Sequence, residues 1–194
     1  MENQIRPEIQ SEEIWISELF TGRPEHMEGR TEKEAAVYEL LDRLEIPYER
    51  LDHEVTPSIE ACHGVDERLG IRICKNLFLC NRQKTDFYLL LMPGDKVFHT
   101  KDLSKQLGCA RLSFADAEHM EEYLHITPGS VSIMGLMNDT EGRVRLLIDR
   151  EVAEMEYLGF HPCVNTSSLK ARTQDIIRKF LPAVNHTMTV VELP

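Results

Sequence analysis

The amino-acid sequence predicts an α+β domain, a mixed and partly barrel-like β-sheet surrounded by helices. Three observations lead there. Short β-rich apolar runs at 76–81, 87–92 and 144–149 are interleaved with capped helical stretches, without the regular βαβ rhythm of a doubly wound sheet. The 194 residues are 42% hydrophobic and 28% charged, which suits one well-buried core and neither a disordered nor a fibrous chain. Internal repeats and low-complexity segments are absent.

Residues 1–30 are polar and broken by Pro7, Gly22, Pro24 and Gly29, and read as an N-terminal extension to a main domain over 31–194. Within the extension, Ile14, Trp15, Ile16, Leu19 and Phe20 have the spacing of a short amphipathic helix docked on that domain. Thr31 followed by Glu34 is a capping-box pattern. It opens a helix striped by Ala35, Val37, Tyr38, Leu41 and Leu44, and Pro47 ends it. Residues 46–53 read as a strand. Thr56-Pro57 then starts a second helix, with proline in the first turn where its missing N–H costs little. The runs 76–81 and 87–92 form a hairpin around the polar turn 82–86, and Pro93-Gly94-Asp95 breaks its second strand. A helix over 100–107, a strand over 111–114 and a helix over 116–124 follow. Residues 128–132 open a strand or loop carrying Ile133 to Met137, and 144–149 is a buried strand. Residues 163–169 look extended, Thr173 caps a helix to Leu181, and 187–193 makes the last strand.

Several function classes are excluded by what is missing. No apolar run approaches the roughly 20 residues of a membrane span, and the N-terminus lacks a signal-peptide pattern, so a cytoplasmic protein with no membrane partner is expected. Cys62, Cys74, Cys80, Cys109 and Cys163 form no C-x-x-C pair and read as reduced thiols. The eight histidines show no H-E-x-x-H spacing, and neither a metal nor another cofactor is expected. The P-loop, the dinucleotide fingerprint and the nucleophile-elbow pattern G-x-S-x-G are all absent. The net charge of −11 argues against a polyanionic partner until its distribution is examined. From Arg68 to Arg111 nine lysines and arginines face three acids, a local surplus of six, so the rest of the chain carries −17. Such segregation can steer a polyanion to one face, although solvated surface lysines and arginines would give the same pattern.

Three stretches carry side chains suited to chemistry. Lys75 stands just before the apolar run Leu77-Phe78-Leu79. Composition alone turns it outward to solvent, because a buried ammonium must recover its lost hydration from a partner or ligand. Asn76 beside it offers both a donor and an acceptor, suited to an ester or an amino group. In the segment 127–139, Gly129 and Gly135 allow backbone N–H groups to approach a small ligand, and Ser132 and Asn138 add side-chain hydrogen bonds. His161, taken alone, reads as a structural histidine, with Asn165 and Thr166 close behind.

Together these stretches resemble the YbaK/ProX family, free-standing relatives of the editing domain inserted in bacterial prolyl-tRNA synthetases. The resemblance runs from about Thr31 to Leu181. It rests on Cys74-Lys75-Asn76-Leu77-Phe78-Leu79, on Tyr88 to Lys96, on Arg111-Leu112-Ser113-Phe114-Ala115, on Pro128 to Ser132 with Gly135 to Asp139, and on Phe160-His161-Pro162 followed by Asn165-Thr166. Asn138-Asp139 and His161-Pro162 look like the ProX branch, which hydrolyses alanyl-tRNA-Pro, rather than the branch that clears cysteinyl-tRNA-Pro. The resemblance implies the editing-domain fold and a trans-acting aminoacyl-tRNA deacylase with Lys75 as its catalytic residue. Asn76, Gly129, Ser132, Gly135, Asn138, His161, Asn165 and Thr166 would bind substrate, and Met134, Leu136 and Met137 would wall a small pocket that admits alanine. The implied partner is the aminoacylated acceptor end of proline tRNA, with prolyl-tRNA synthetase as a further candidate and no DNA. General-base help would come from the substrate's own ribose hydroxyl. One position departs, since the family carries proline after the Val131-Ser132 step and this chain has Ile133. That leaves the identity of the amino acid open. A non-catalytic amino-acid or aminoacyl-tRNA sensor of the same fold is the alternative.

Overall fold

Two β-sheets share one core in the computed structural model of the chain, which describes residues 14–55, 63–72 and 74–194. The larger sheet has five strands in the order β5-β3-β4-β6-β9, where β3 is Cys74–Cys80, β4 Phe87–Pro93, β5 Ser113–Phe114, β6 Val144–Asp149 and β9 Met188–Val191. It is mixed: β3 runs antiparallel to β4 and β5, whereas β4, β6 and β9 are parallel. The smaller sheet is antiparallel throughout, in the order β1 (Phe20–Thr21), β2 (Tyr48–Asp52), β8 (Ser167–Arg172), β7 (Tyr157–Phe160).

The two-residue period of β4 explains how the layers stack. Leu89 and Leu91 face the main core with Phe78, Leu146, Ile148 and, from the other sheet, Leu158, Phe160 and Leu169. Leu90 and Met92 face the opposite way. There they pack with Leu147, Val191 and Leu103 of α3 (Thr100–Leu107). A strand covered on both faces must read as an uninterrupted apolar run, as β4 does. The main core is closed by α1 (Glu32–Arg43), through Val37, Tyr38 and Leu41, and by α4 (Ala117–Leu124), through Met120 and Leu124.

Most expected elements form, and the departures have local causes. The side chain of Thr31 caps α1 by accepting from the Glu34 N–H at 3.2 Å, but Glu34 does not reach back. Its carboxylate instead takes hydrogen bonds from Arg30 and Tyr38. The helix expected from Ile14 to Phe20 is extended instead: Ile16 bridges His53, and β1 pairs with β2. Ile14 and Ile16 pack against Leu51, Val65 and Leu69 while Trp15 is 60% exposed, an alternation with the period of a strand. Ile133–Met137 is a 3-10 turn capped by Ser132, not a strand. Residues 163–166 turn, with Cys163 at φ 61°, before β8 begins at Ser167. The short helix α5 (Arg150–Glu154) and β7 are additions to the expected set. The Thr173 helix begins at Thr173 itself with no side-chain cap, and it is wound as π-helix over Ile176–Phe180. Helix α2 is His63–Leu69, while the expected start at Thr56 lies outside the described residues.

One ionic cluster ties residue 30 to the smaller sheet. Arg30 donates to Glu34 Oε1 at 2.8 Å and to both oxygens of Asp52 at 2.8 and 2.7 Å, and Arg50 also donates to Asp52. Burial alone would raise the Asp52 pKa, but the hydrogen bonds from Arg30 and Arg50 outweigh it and hold the carboxyl at about 2. A carboxyl depressed in the folded state contributes stability above its unfolded pKa of ~3.9, here about 2 kcal/mol, and loses it as pH falls through the folded value. Urea unfolding should therefore show wild type exceeding Asp52→Asn by about 2 kcal/mol more at pH 6 than at pH 2. A pH-independent difference would show that the cluster contributes no charge-specific stability.

Candidate functional site

The pairing of β3 leaves one edge of that strand open. Its partner β5 covers only Leu79 and Cys80, and Phe78 O accepts from Ala115 N just beyond. In an antiparallel ladder, alternate residues direct both backbone groups to the same side. Phe78 faces the β5 side, so Asn76 and Cys74 face it too, where no strand continues among the described residues. A cleft of about 810 Å³ wraps this open edge and is lined by residues on both faces of β3.

Lys75 and Asn76 both line the cleft. Lys75 is half-buried and donates from Nζ to the carbonyl of Lys96 at 2.7 Å, which fixes the ammonium and leaves two of its protons for a ligand. The Lys96 carbonyl is held in turn. Lys96 Nζ donates to Leu193 O at 2.8 Å and to both oxygens of the fully buried Asp149 at 3.1 and 3.2 Å, so the turn after β4 is tied to the end of β6.

Among the described residues of the lining, two acceptor oxygens have no donor. Asn76 Oδ1 and Asp66 Oδ2 are buried without a hydrogen bond. Burial pushes the Asp66 carboxyl up to about 7. Burial, with the Asp66 charge adding to it, pushes the Cys74 thiol up to about 12.

Two histidines also line the cleft. His53 is spent on Glu54 O at 2.7 Å and on Ser168 Oγ at 2.9 Å. His161 Nδ1 lies 2.8 Å from Ser167 O, so that nitrogen carries the proton and Nε2 keeps its lone pair. Burial lowers the pKa of both rings, and the neighbouring imidazole lowers that of His161 further. Apolar lining comes from Val65, Ile71, Leu77, Val131 and Phe160. At the mouth, Phe98 and Phe114 meet edge to face with centroids 6.2 Å apart, and Phe114 is 63% exposed.

Three cations of the basic segment line the cleft: Lys75, Lys101 and Arg111. Others are spent elsewhere, Arg72 on Asp95 and Glu151, and Lys84 on Asp116. Asp66 is the one acid in the lining among the described residues.

Of the residues singled out in the sequence, Lys75, Asn76, Gly129 and His161 meet in this cleft. Gly129 has φ 90°, which favours glycine, and a Cβ there would stand 3.5 Å from Asn165 Nδ2, so Asn165 lies against the same turn. The remainder lie elsewhere. Ser132 is fully buried, accepts from Met134 N and donates to His161 O at 2.6 Å, and so supports the histidine from behind. Gly135 packs against α4, where a Cβ would come within 2.5 Å of Ile126 Cδ1 and 3.2 Å of Leu124 O. Asn138 donates to Leu124 O, and exposed Thr166 gives its carbonyl to His53 N. Met134 and Leu136 are buried in the main core with Met137 packed beside them, because the 3-10 turn rolls this segment inward; none of the three walls the cleft. Sequence reasoning missed His53, Asp66, Ser168 and the Phe98–Phe114 pair, although Phe114 belongs to a motif already quoted. No group of three or more His, Cys, Asp or Glu side chains suited to a metal occurs among the described residues, nor does a helix long and apolar enough to cross a membrane.

Comparison with known proteins adds four findings. Residues 53–179 match the family model of the aminoacyl-tRNA editing domain. The chain is 30% identical over 158 residues to the prolyl-tRNA editing protein ProX of Acetoanaerobium sticklandii, covering 81% of this chain and 96% of that one. It is 28% identical to the prolyl-tRNA synthetase associated domain-containing protein 1 of Danio rerio, over 79% of this chain and 83% of the other. A crystal structure described as a candidate trans-editing enzyme for prolyl tRNA synthetase superposes with a TM-score of 0.61 at 12% identity, covering 84% of this chain and 99% of that one, a likeness of fold.

Proposed function

The chain belongs to the aminoacyl-tRNA editing domain family, and from that premise we propose that it hydrolyses the ester of mischarged aminoacyl-tRNA in trans, removing alanine from proline tRNA. The observation that carries this reading is Lys75, held by the Lys96 carbonyl inside a cleft at an open strand edge. An ammonium fixed before the substrate arrives needs no reorganisation when charge develops on the ester oxygen. The Asn76 backbone N–H, directed out of the sheet at the same edge, is a second donor for that oxyanion. The ester is intrinsically labile, so orientation and charge stabilisation supply most of what the reaction requires.

The rest of the cleft fits the end of a tRNA. Phe114 and Phe98 offer an exposed aromatic face on which the terminal adenine can stack, worth about 1–3 kcal/mol per base. Lys101 and Arg111 stand beside it for the phosphates. His161, neutral with a lone pair on Nε2, accepts from the terminal ribose hydroxyl, which delivers the attacking water. Selectivity for a small side chain rests on Val65, Ile71, Leu77 and Phe160, in place of the methionines expected from the sequence. The resemblance of Asn138-Asp139 and His161-Pro162 to the ProX branch supports alanine.

The test is direct. Purified protein is mixed with alanyl-, cysteinyl- and prolyl-tRNA-Pro, and ester loss is followed against the uncatalysed rate. Alanyl-tRNA-Pro should be cleared fastest and prolyl-tRNA-Pro spared. Faster loss of cysteine would reassign the substrate, and no acceleration on any of the three would make the protein a sensor.

A further inference from the structure

Asp66 has no role in the reading above, yet it is the least explained group in the cleft. A carboxyl whose Oδ2 is buried without a donor carries an uncompensated cost, and such groups are retained where a ligand supplies the missing partner. Asn76 Oδ1 is orphaned in the same lining. The two belong to one side of β3. Asn76 and Cys74, two residues apart on a strand, share a face, and Asp66 lies near enough to Cys74 for its charge to raise the thiol. Lys75 sits on the alternate face, away from them. The cleft therefore presents two unsatisfied acceptors, one of them its acid, apart from its fixed ammonium.

We infer that Asp66 and Asn76 receive the α-ammonium of the aminoacyl group, so that the site reads the free amine as well as the side chain. This rests on the proposed reading of the cleft as an aminoacyl-tRNA site and names a subsite within it. An ammonium brings three donors, enough to satisfy both orphan oxygens, and it is the part of an aminoacyl end that opposes the phosphate in charge. The cations Lys75, Lys101 and Arg111 would repel it elsewhere in the cleft. A carboxyl that burial holds near half-ionised at neutral pH is driven to its charged form by the arriving ammonium.

The experiment compares the alanyl and lactyl amides of 3′-amino-3′-deoxyadenosine. Both carry an unreactive amide at the ester position, and they differ only in having an ammonium or a hydroxyl on the α-carbon. Calorimetric titration of wild type should give about 10- to 100-fold tighter binding of the alanyl amide, as expected for hydrogen bonds to a charged group. Asp66→Asn, close in size and with unchanged or higher melting temperature, should abolish that preference while leaving the lactyl amide unaffected. A preference that survives in Asp66→Asn, or that is absent from wild type, overturns the inference. Ester loss from alanyl-tRNA-Pro, measured on the same preparations, judges the parent reading separately. Turnover with a preference independent of Asp66 defeats only the subsite, whereas a preference that requires Asp66, without turnover, defeats only the hydrolase.

Discussion

Replacing Lys75 with alanine should lower the rate of ester hydrolysis by at least about 10²-fold while leaving the fold in place. Removing one preorganised donor from an oxyanion site costs about 10²–10³ in rate in enzymes that rely on one, and Lys75 is the side-chain cation fixed at the open edge of β3. The structural cost is small. Lys75 is half-buried and packs no core volume, and the change leaves only the Lys96 carbonyl without its donor, about 1 kcal/mol. Arginine should not rescue. Its planar fork is longer and cannot place a point charge where the Lys96 carbonyl holds the ammonium. Single-turnover rates on alanyl-tRNA-Pro, beside melting curves, separate the two effects. The loss should appear in the rate at saturating substrate, because the charge is used as the oxyanion forms. Near-normal turnover in a folded Lys75→Ala protein would remove this residue from the mechanism.

The sequence made the skeleton of the fold legible and only part of the site. Elements with strong local signals form where expected: α3 ends at Gly108, whose φ of 64° suits a helix stop, and β6 spans its expected residues. Where partners decide, periodicity misleads. Residues 14–20 have apolar spacing compatible with a helix, but the open edge of β2 takes their backbone hydrogen bonds, and Ser17 N donates to Asp52 O at 2.8 Å. The site divides in the same way. Lys75 and Asn76 belong to one motif and are adjacent by covalent geometry. Asp66, His53 and Ser168 come from α2 and the smaller sheet, and only the packing of the two sheets brings them to the cleft. Met134 and Leu136 were legible as apolar but not as inward-facing, because the 3-10 turn that rotates them depends on Ser132 bonding to the distant His161 carbonyl.

The largest expected loss of stability falls on Asp149, which lies outside the cleft. Its side chain has no exposure and accepts from Lys96 Nζ, from Glu151 N at 3.0 Å and from Leu193 N at 3.2 Å. It thereby caps α5 and ties down the C-terminal strand end and the turn after β4 together. Asp149→Ala leaves the Glu151 and Leu193 amides without an acceptor and takes from the Lys96 ammonium its buried carboxylate, leaving it only the half-exposed Glu151 side chain at 2.9 Å and the Leu193 carbonyl. Breaking a buried ion pair from one side costs about 3–5 kcal/mol, equivalent to a fall in melting temperature of roughly 10 °C for a chain of this length. Lys96→Met should cost a similar amount by stranding the carboxylate. If the loss comes from the unpaired charge, combining Lys96→Met with Asp149→Ala should be markedly less destabilising than the two single losses added together, since neither buried charge then loses its partner. Activity should not recover with stability. The Lys96 carbonyl that positions Lys75 is placed by this pair, and a double variant that folds but leaves the turn free loses the point to which the ammonium is fixed. Urea unfolding and hydrolysis rates measured on the same three proteins decide the matter: a single-variant cost below about 1 kcal/mol, or a double variant with full activity, would show that Asp149 does not hold the lysine in place.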